Sequence, residues 1–380
     1  MPARLRVQPG VTPHDDPLKA LMLPFDGGPL AWPAQDDIAF LRARDGWPLR
    51  QQPLDRLRCE QGFKPLADGL RQAGLDVRPE LDGAGDASLV LVLPPRQRDE
   101  AQALLARAVA LAAPGARVVA AVANDEGARS REKDLQQLAG LDGTLTKFHC
   151  RVFWTPPLGG ARDAALAARW QQADATRPIL GGRFQSRPGV FAWDRIDPAS
   201  ALLAAHLPRD LSGRGADLGA GWGYLAAEVL AHCAGVTALD LYEAEARALE
   251  LARVNLAAQA GRAALAFHWH DVTSGLPEGG YDFIVSNPPF HAHDRGDRPE
   301  LGQRFIEVAA QSLRPGGRLL LVANRHLPYE ATVAQAFATN RVLAEGGGFK
   351  VIEAVTAQAA KGQAAKSHAA KDRAMKERRR

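Results

Sequence analysis

The run Asn287-Pro288-Pro289-Phe290 closes an apolar, strand-like segment at residues 281–286, and its side chains could together hold a planar amino group. An amine conjugated to a ring is a poor nucleophile, because its lone pair is delocalised. It must be oriented and partly rehybridised rather than deprotonated. The Asn287 amide oxygen and a proline-flanked backbone carbonyl can accept its two N–H bonds, and Phe290 offers a face for the ring to stack on. Geometry then carries the catalysis, with little need for a general base. Proline pairs also end strands for purely structural reasons, so the run gains chemical meaning only from what precedes it.

What precedes it is a glycine turn, Asp217-Leu218-Gly219-Ala220-Gly221-Trp222-Gly223. Dinucleotide enzymes favour a Gly-x-Gly-x-x-Gly spacing that brings a pyrophosphate to a helix N-terminus. Here the spacing is Gly-x-Gly-x-Gly, with a carboxylate two residues before the first glycine. Asp217 would repel a pyrophosphate but suits a cofactor carrying an ammonium and a sulfonium, which is S-adenosylmethionine. Asp240, read as the end of the next strand, is placed to accept from both ribose hydroxyls. Asp271, after the third strand, is placed to accept from the adenine amino group, with Val272 beside the ring. One acidic residue in a loop is more often a helix cap; three at successive strand ends, with the glycine turn, point to a cofactor cleft.

The elements that must position these residues alternate regularly. Strands are expected at 215–218, 236–241, 264–269, 281–286 and 318–323, with helices at 224–233, 243–260 and 301–313 between them. This is the pattern of an α/β domain with a doubly wound, mostly parallel sheet and ligands at the carboxyl ends of its strands. Residues 341–344 and 349–356 flank Gly346-Gly347-Gly348 and read as an antiparallel hairpin closing the sheet edge. Ile196-Asp197-Pro198-Ala199-Ser200, leading into 201–207, reads as the domain's first helix.

The first half carries a faint copy of this plan. Residues 114–124, with their Pro-Gly turn and closing Asn124, resemble 315–324, and residues 89–95 resemble 283–289, with Leu93 where the second copy has Asn287. No matching glycine turn is evident upstream in the first half. A duplicated domain whose first copy lost its cofactor and catalytic residues is the simplest account. The expected division is 1–155, a degenerate domain that positions RNA; 156–183, a linker; 184–358, the catalytic domain; and 359–380, a flexible basic tail.

Composition bounds the rest. The chain of 380 residues is 46% hydrophobic and 24% charged, which is ordinary for two globular domains. No apolar run is long and uninterrupted enough for a signal or membrane segment, so a cytoplasmic protein is expected, working as a monomer. Three scattered cysteines indicate neither disulfides nor zinc. His291 and His293 lack further ligands at useful spacing, so no metal is expected. Lys361–Arg380 holds eight basic and two acidic residues, a net +6 against +4 for the whole chain, so the basic character belongs to the tail. Such a tail either adds salt-dependent affinity for a phosphate backbone or only solubilises the terminus. His291, Arg295, Arg298, Arg325 and Tyr329 are candidate contacts to an RNA substrate.

Taken together these strings resemble the bacterial ribosomal RNA guanine-N2 methyltransferases, the type that includes methyltransferase C of the small ribosomal subunit and methyltransferase G of the large one. The resemblance covers nearly the whole chain and is carried by Gly189-Val190-Phe191, Ile196-Asp197, residues 217–223, Ser286 to His291, Val322 to Tyr329 and Phe349-Lys350-Val351. It implies two tandem Rossmann-like methyltransferase domains, the first degenerate, and transfer of methyl from S-adenosylmethionine to the exocyclic amino group of one rRNA guanosine. It also implies that Asn287, Pro288, Pro289 and Phe290 form the substrate turn and that Gly219, Gly221, Gly223 and Asp240 serve the cofactor. Ser286 and Leu327-Pro328-Tyr329 tilt the choice toward 16S rRNA over 23S rRNA. Asn-Pro-Pro-aromatic turns also serve adenine N6 and protein glutamine amides, and a non-catalytic ribosome-assembly factor is the alternative from another class. Trp222, bulky within the glycine turn, and the long tail depart from the family pattern.

Overall fold

The structure, a computed structural model, describes residues 15–33, 35–159, 163–289 and 299–358. Phe290, His291, Arg295 and Arg298, with His293, Asp294 and the tail, lie outside the described residues. The first sheet contains β1 (Ile38–Leu41), β2 (Leu57–Glu60), β3 (Asp76–Arg78), β4 (Ala87–Val92), β5 (Ala112–Ala123), β6 (Gly143–Lys147) and β7 (Cys150–Trp154). A hairpin of β8 (Arg177–Ile179) and β9 (Phe184–Ser186) follows. The second sheet contains β10 (Ser212–Leu218), β11 (Gly235–Glu243), β12 (Ala264–Trp269), β13 (Tyr281–Ser286), β14 (Leu313–Asn324), β15 (Thr339–Gly346) and β16 (Phe349–Val355).

The two sheets share one strand order, β3-β2-β1-β4-β5-β7-β6 and β12-β11-β10-β13-β14-β16-β15. In each, the strand inserted beside the fifth is antiparallel and the other neighbours of the central strands are parallel. The expected closing hairpin is therefore present, but its second strand, β16, lies against β14 and leaves β15 at the edge. The strands are apolar on both faces because helices cover both. Core clusters around Leu241 and around Ile306 sandwich the second sheet, and clusters around Val92 and Phe40 sandwich the first. The fold is thus two α/β domains of one topology.

Register lets the two copies be matched residue by residue. Leu41 pairs with Val92 and Glu60, as Leu218 pairs with Ser286 and Tyr242. Phe40 therefore stands where Asp217 does, Arg42 at Gly219, Arg44 at Gly221, Gly46 at Gly223, Gln61 at Glu243 and Leu93 at Asn287. The glycine turn that the first half lacks in sequence survives in conformation: Arg42 has φ 54° where Gly219 has φ 76°. Gln61 Oε1 accepts from the Phe63 N–H at 2.9 Å, as Glu243 Oε1 accepts from the Glu245 N–H at 2.8 Å.

The copies meet through these same loops. The Lys64 N–H donates to the Ala244 carbonyl (2.8 Å) and the Ala246 N–H to the Gly62 carbonyl (2.9 Å), equivalent positions related by a pseudo-two-fold. Trp269 Nε1 donates to both carbonyls, Gly62 at 2.9 Å and Ala244 at 2.8 Å. Beside them lies a cavity of about 400 Å³ lined by residues of both domains. Its charges pair with one another: Glu100 Oε1 accepts from Arg42 at 3.1 Å and from Arg247 at 2.7 Å, and Arg187 pairs with Asp174 at 2.5 Å. The cavity is a brace between domains and is separate from the glycine turn.

Residues 156–183 hold a helix, Ala164–Gln171, and the first strand of the β8–β9 hairpin. Leu166 and Trp170, on the helix Ala164–Gln171, are buried in the first domain's core, while Ile179 and Phe184 of the β8–β9 hairpin are buried in the second's. The segment's apolar residues tie it to both cores. Glu100 is almost fully buried between two guanidinium groups, so Glu100→Ala leaves Arg42 without its carboxylate, while Arg247 keeps Glu245 at 3.0 Å. With those arginines partly in solvent, the loss of stability should be about 2 kcal/mol, measured by urea denaturation; a change below ~0.5 kcal/mol would show that the brace carries no weight.

Candidate active site

The site forms where β10 and β13 end side by side. Ser286 Oγ donates to the Leu218 carbonyl at 2.7 Å and ties the two strand ends together. The chain then turns through Gly219 (φ 76°), Gly221 (φ 56°) and Gly223 (φ 89°), a left-handed series that only glycine adopts without strain. A Cβ on Gly219 would stand 3.9 Å from the Asn287 carbonyl, so the Asn-Pro-Pro turn lies directly against the glycine turn. A Cβ on Gly223 would press on Ala252 at 3.2 Å, so this glycine also allows the flanking helices to pack. Trp222 points away from the cleft, buried against Phe184, with ring centroids 5.0 Å apart.

Asp217 is fully buried, and neither carboxylate oxygen receives a hydrogen bond of ordinary geometry. Its pKa is pushed up to about 7, first by burial and then by the Glu243 carboxylate, with the Ala226 N–H drawing it back only slightly. Such a group is costly unless a cationic ligand completes it.

Asp240 corrects the sequence reading. It lies three residues before the end of β11 and is buried, accepting from Tyr281 Oη at 2.6 Å and Arg214 Nη2 at 2.5 Å. It therefore belongs to a structural network on the far face of the sheet. The carboxylate at the strand end is Glu243, whose Oε2 accepts from the Gly221 N–H at 2.7 Å and whose Oε1 accepts from the Glu245 N–H. Burial raises its pKa against those backbone bonds. Each oxygen keeps a further acceptor site for a hydroxyl. The overlooked signal was the alternation through Leu239, Leu241 and Glu243, which share one face while Asp240 and Tyr242 share the other.

Asp271 caps the short 3₁₀ turn Val272–Ser274, and its Oδ1 accepts from the Thr273 N–H at 2.9 Å and the Thr273 hydroxyl at 2.7 Å. It follows β12 as expected. Val272 differs from expectation: it is buried among Tyr242, Phe305 and Ile306, with little surface left for a ring.

Asn287 is held by its amide nitrogen. Nδ2 donates to Asp197 Oδ2 at 2.9 Å and to Ser200 Oγ at 2.8 Å, residues that cap and open the helix Pro198–Ala205. Its Oδ1 is buried without a partner among the described residues. A bare acceptor just past the end of β13 and a bare carboxylate on its neighbour β10 can receive an N–H from one ligand and a cation from another.

Of the candidate RNA contacts within the described residues, Arg325 is an exposed side chain 3.9 Å from Glu345. Tyr329 is fully buried and packs on Gly302 at the start of an unanticipated helix, Tyr329–Ala336. It is a core residue and offers no face to RNA. The buried Lys350 ammonium holds this loop by donating to the Arg325 and Leu327 carbonyls at 3.3 and 3.2 Å and by pairing with Glu330. Among the described residues no helix is long and apolar enough to cross a membrane.

The chain is similar to known proteins in sequence and in fold. Residues 181–353 match the methyltransferase small domain family. The ribosomal RNA small subunit methyltransferase C of Salmonella newport is 31% identical over 297 residues, 77% of this chain and 83% of that protein. The protein of that name from Cronobacter sakazakii is 32% identical over 306 residues, 78% and 83% of the two chains. Among solved structures, the T. thermophilus 16S rRNA N2 G1207 methyltransferase, in complex with AdoMet and guanosine, is 25% identical with a TM-score of 0.75 over 92% of this chain and 94% of that one. The chain thus belongs to the ribosomal RNA small subunit methyltransferase C family and is an S-adenosylmethionine-dependent methyltransferase with two tandem domains of one fold.

Proposed function

We propose that this protein transfers a methyl group to the exocyclic N2 amino group of a guanosine in 16S rRNA, at the position equivalent to that named for the T. thermophilus relative. The observation that carries the reading is the partnerless Oδ1 of Asn287, a residue whose backbone carbonyl lies against the glycine turn, in a chain of this family. S-adenosylmethionine supplies an electrophilic methyl on a positively charged sulfur. Asp217 offers its unpaired carboxylate to the cofactor's cationic end, Glu243 offers acceptors to the ribose, and Asp271 faces the adenine side of the cleft. The loop from Gly219 to Gly223 leaves room for a ligand against its backbone: a Cβ on Gly221 would meet nothing within 4 Å.

On the substrate side, Asn287 Oδ1 and the Pro288 carbonyl accept the two amino hydrogens and turn the nitrogen lone pair toward the methyl. Phe290 stacks on the flipped-out base. His291, Arg295 and Arg298 follow at once in sequence, and with Arg325 they would meet the phosphate backbone. The reaction is placed in the cytoplasm on a ribosomal subunit, with the enzyme as a monomer.

Three tests follow. Labelled S-adenosylmethionine is given to small subunits, large subunits and naked rRNAs from a strain lacking the protein. N2-methylguanosine in the small-subunit fraction is expected; label in methyladenosine or in protein would overturn the substrate. Asn287→Ala should lower methyl transfer at least about 100-fold while cofactor affinity changes less than about twofold, by calorimetry. Loss of both together would mean that Asn287 is structural.

The third test concerns pH. The Asp217 pKa is raised above its unfolded value, so its ionisation costs the fold nothing below about pH 4 and the full amount above about pH 7. A cationic ligand favours the charged form. Cofactor affinity should therefore fall as pH drops below about 7, up to tenfold per unit. Asp217→Asn should stabilise the cofactor-free protein at pH 8, by at most ~4 kcal/mol, and remove this pH dependence. An unchanged melting temperature with unchanged pH dependence would show Asp217 to be ionised and satisfied already.

A further inference from the structure

We infer that Asp197 and Ser200 are positioning residues that fix which way the Asn287 amide points, and so create the acceptor that receives the target amine. This deepens the proposed reading of Asn287 and rests on it. The two ends of an asparagine amide are nearly the same shape, so packing alone cannot choose between them. Chemistry must choose. Asp197 Oδ2, an anionic acceptor, lies 2.9 Å from Nδ2, and Ser200 Oγ lies 2.8 Å from the same nitrogen. Turning the amide over would bring Oδ1 against the Asp197 carboxylate and aim two N–H donors at the cleft, where an amine also offers donors. With both hydrogens of Nδ2 engaged on one helix turn, Oδ1 is left bare and buried.

Asp197 also caps its helix, accepting from the Ser200 N–H at 2.9 Å, so the cap alone could explain it. The first domain separates these two roles. The helix Asp16–Met22 packs on β5 and β7 as Pro198–Ala205 packs on β14 and β16. There Asp15 caps in the same way, accepting from the Leu18 N–H at 3.1 Å. Leu18 thus stands where Ser200 does and Leu93 where Asn287 does, both buried in one apolar cluster. The Asp15 carboxylate instead takes Arg44 at 3.0 Å. Where the asparagine is gone the serine is gone as well, and only the cap remains. Ser200 is therefore not required for the helix, and its hydroxyl answers to Asn287.

The experiment uses the full chain, with small subunits as substrate and kcat, KM, cofactor Kd and melting temperature read for each variant. Asp197 Oδ2 takes both the Ser200 N–H and Asn287 Nδ2, so Asp197→Asn, with its amide oxygen in that place, keeps the cap and the acceptor and should leave kcat within about twofold. Ser200→Ala leaves the cap untouched while removing the second acceptor. It should lower kcat about tenfold, with KM, cofactor Kd and melting temperature unchanged. Asn287→Asp places two carboxylates in contact and should lower kcat at least about 100-fold. Combining it with Asp197→Asn removes one of the two facing negative charges and should recover about tenfold of that loss, which a capping role alone would not. Wild-type kcat in Ser200→Ala, beside an inactive Asn287→Ala, would overturn the positioning role while leaving Asn287 as the acceptor. Activity retained in Asn287→Ala would overturn the reading of Asn287 itself. A kcat loss tracking a lowered melting temperature, with no recovery in the double variant, would reduce Asp197 to a cap and overturn the inference.

Discussion

The site depends on oxygen atoms that the protein keeps without partners. Water or a neighbouring donor would satisfy an amide oxygen or a carboxylate at once if the chain allowed it, and leaving one buried and unmet costs about 1–3 kcal/mol or more. Asp217 and Asn287 both carry that cost at adjacent strand ends. Most of what surrounds them can be read as the means of sustaining it. Ser286 locks the two strands at the height where they emerge, the glycines clear space without offering side chains, and Trp222 is folded away into the core. Proline at 288 and 289 removes two N–H donors that could otherwise turn onto the amide.

The duplicated half shows what the same topology does once that constraint is lifted. Phe40 fills the place of the bare carboxylate and Leu93 the place of the bare amide, both buried. Arg42 replaces the first glycine yet keeps its left-handed backbone and sends its guanidinium to Glu100. Each change exchanges an unsatisfied polar atom or an open space for packing or an ion pair. Decay here runs toward stability, as expected when a functional site no longer has to be kept strained.

Much of this was legible in the sequence where local signals coincide with physical boundaries. The limits of β12 and β13 follow from their apolar runs and, for β13, from the prolines that end it. The two-domain plan followed from the repeated Pro-Gly and Pro-Pro strings. The error at Asp240 arose because a strand's end is poorly marked when its last residues, Tyr242 and Glu243, are a buried aromatic and a carboxylate. A displacement of three residues moves a side chain to the opposite face. The degenerate turn was hidden because backbone conformation outlasted the glycines that would announce it. The contacts of Asn287 with Asp197 and Ser200 span 90 and 87 residues of chain, and no local pattern reports such a distance.

The retention of a degenerate half has a physical reading in where the two halves touch. The contact is made by the loop after Gln61 and the loop after Glu243, which are equivalent segments exchanging backbone hydrogen bonds across a pseudo-two-fold. Glu243 is a half-buried carboxylate whose ionised form is disfavoured by desolvation, so it is useful only if its donors are fixed. One of those donors, the Glu245 N–H, belongs to the loop that the first domain grips through Gly62, Lys64 and the bridge between Phe63 and Glu245. The first domain has lost the groups that would perform chemistry, but it still supplies one wall of the loop on which the second domain's Glu243 sits. Removing it would free that loop at the point where the carboxylate must be held.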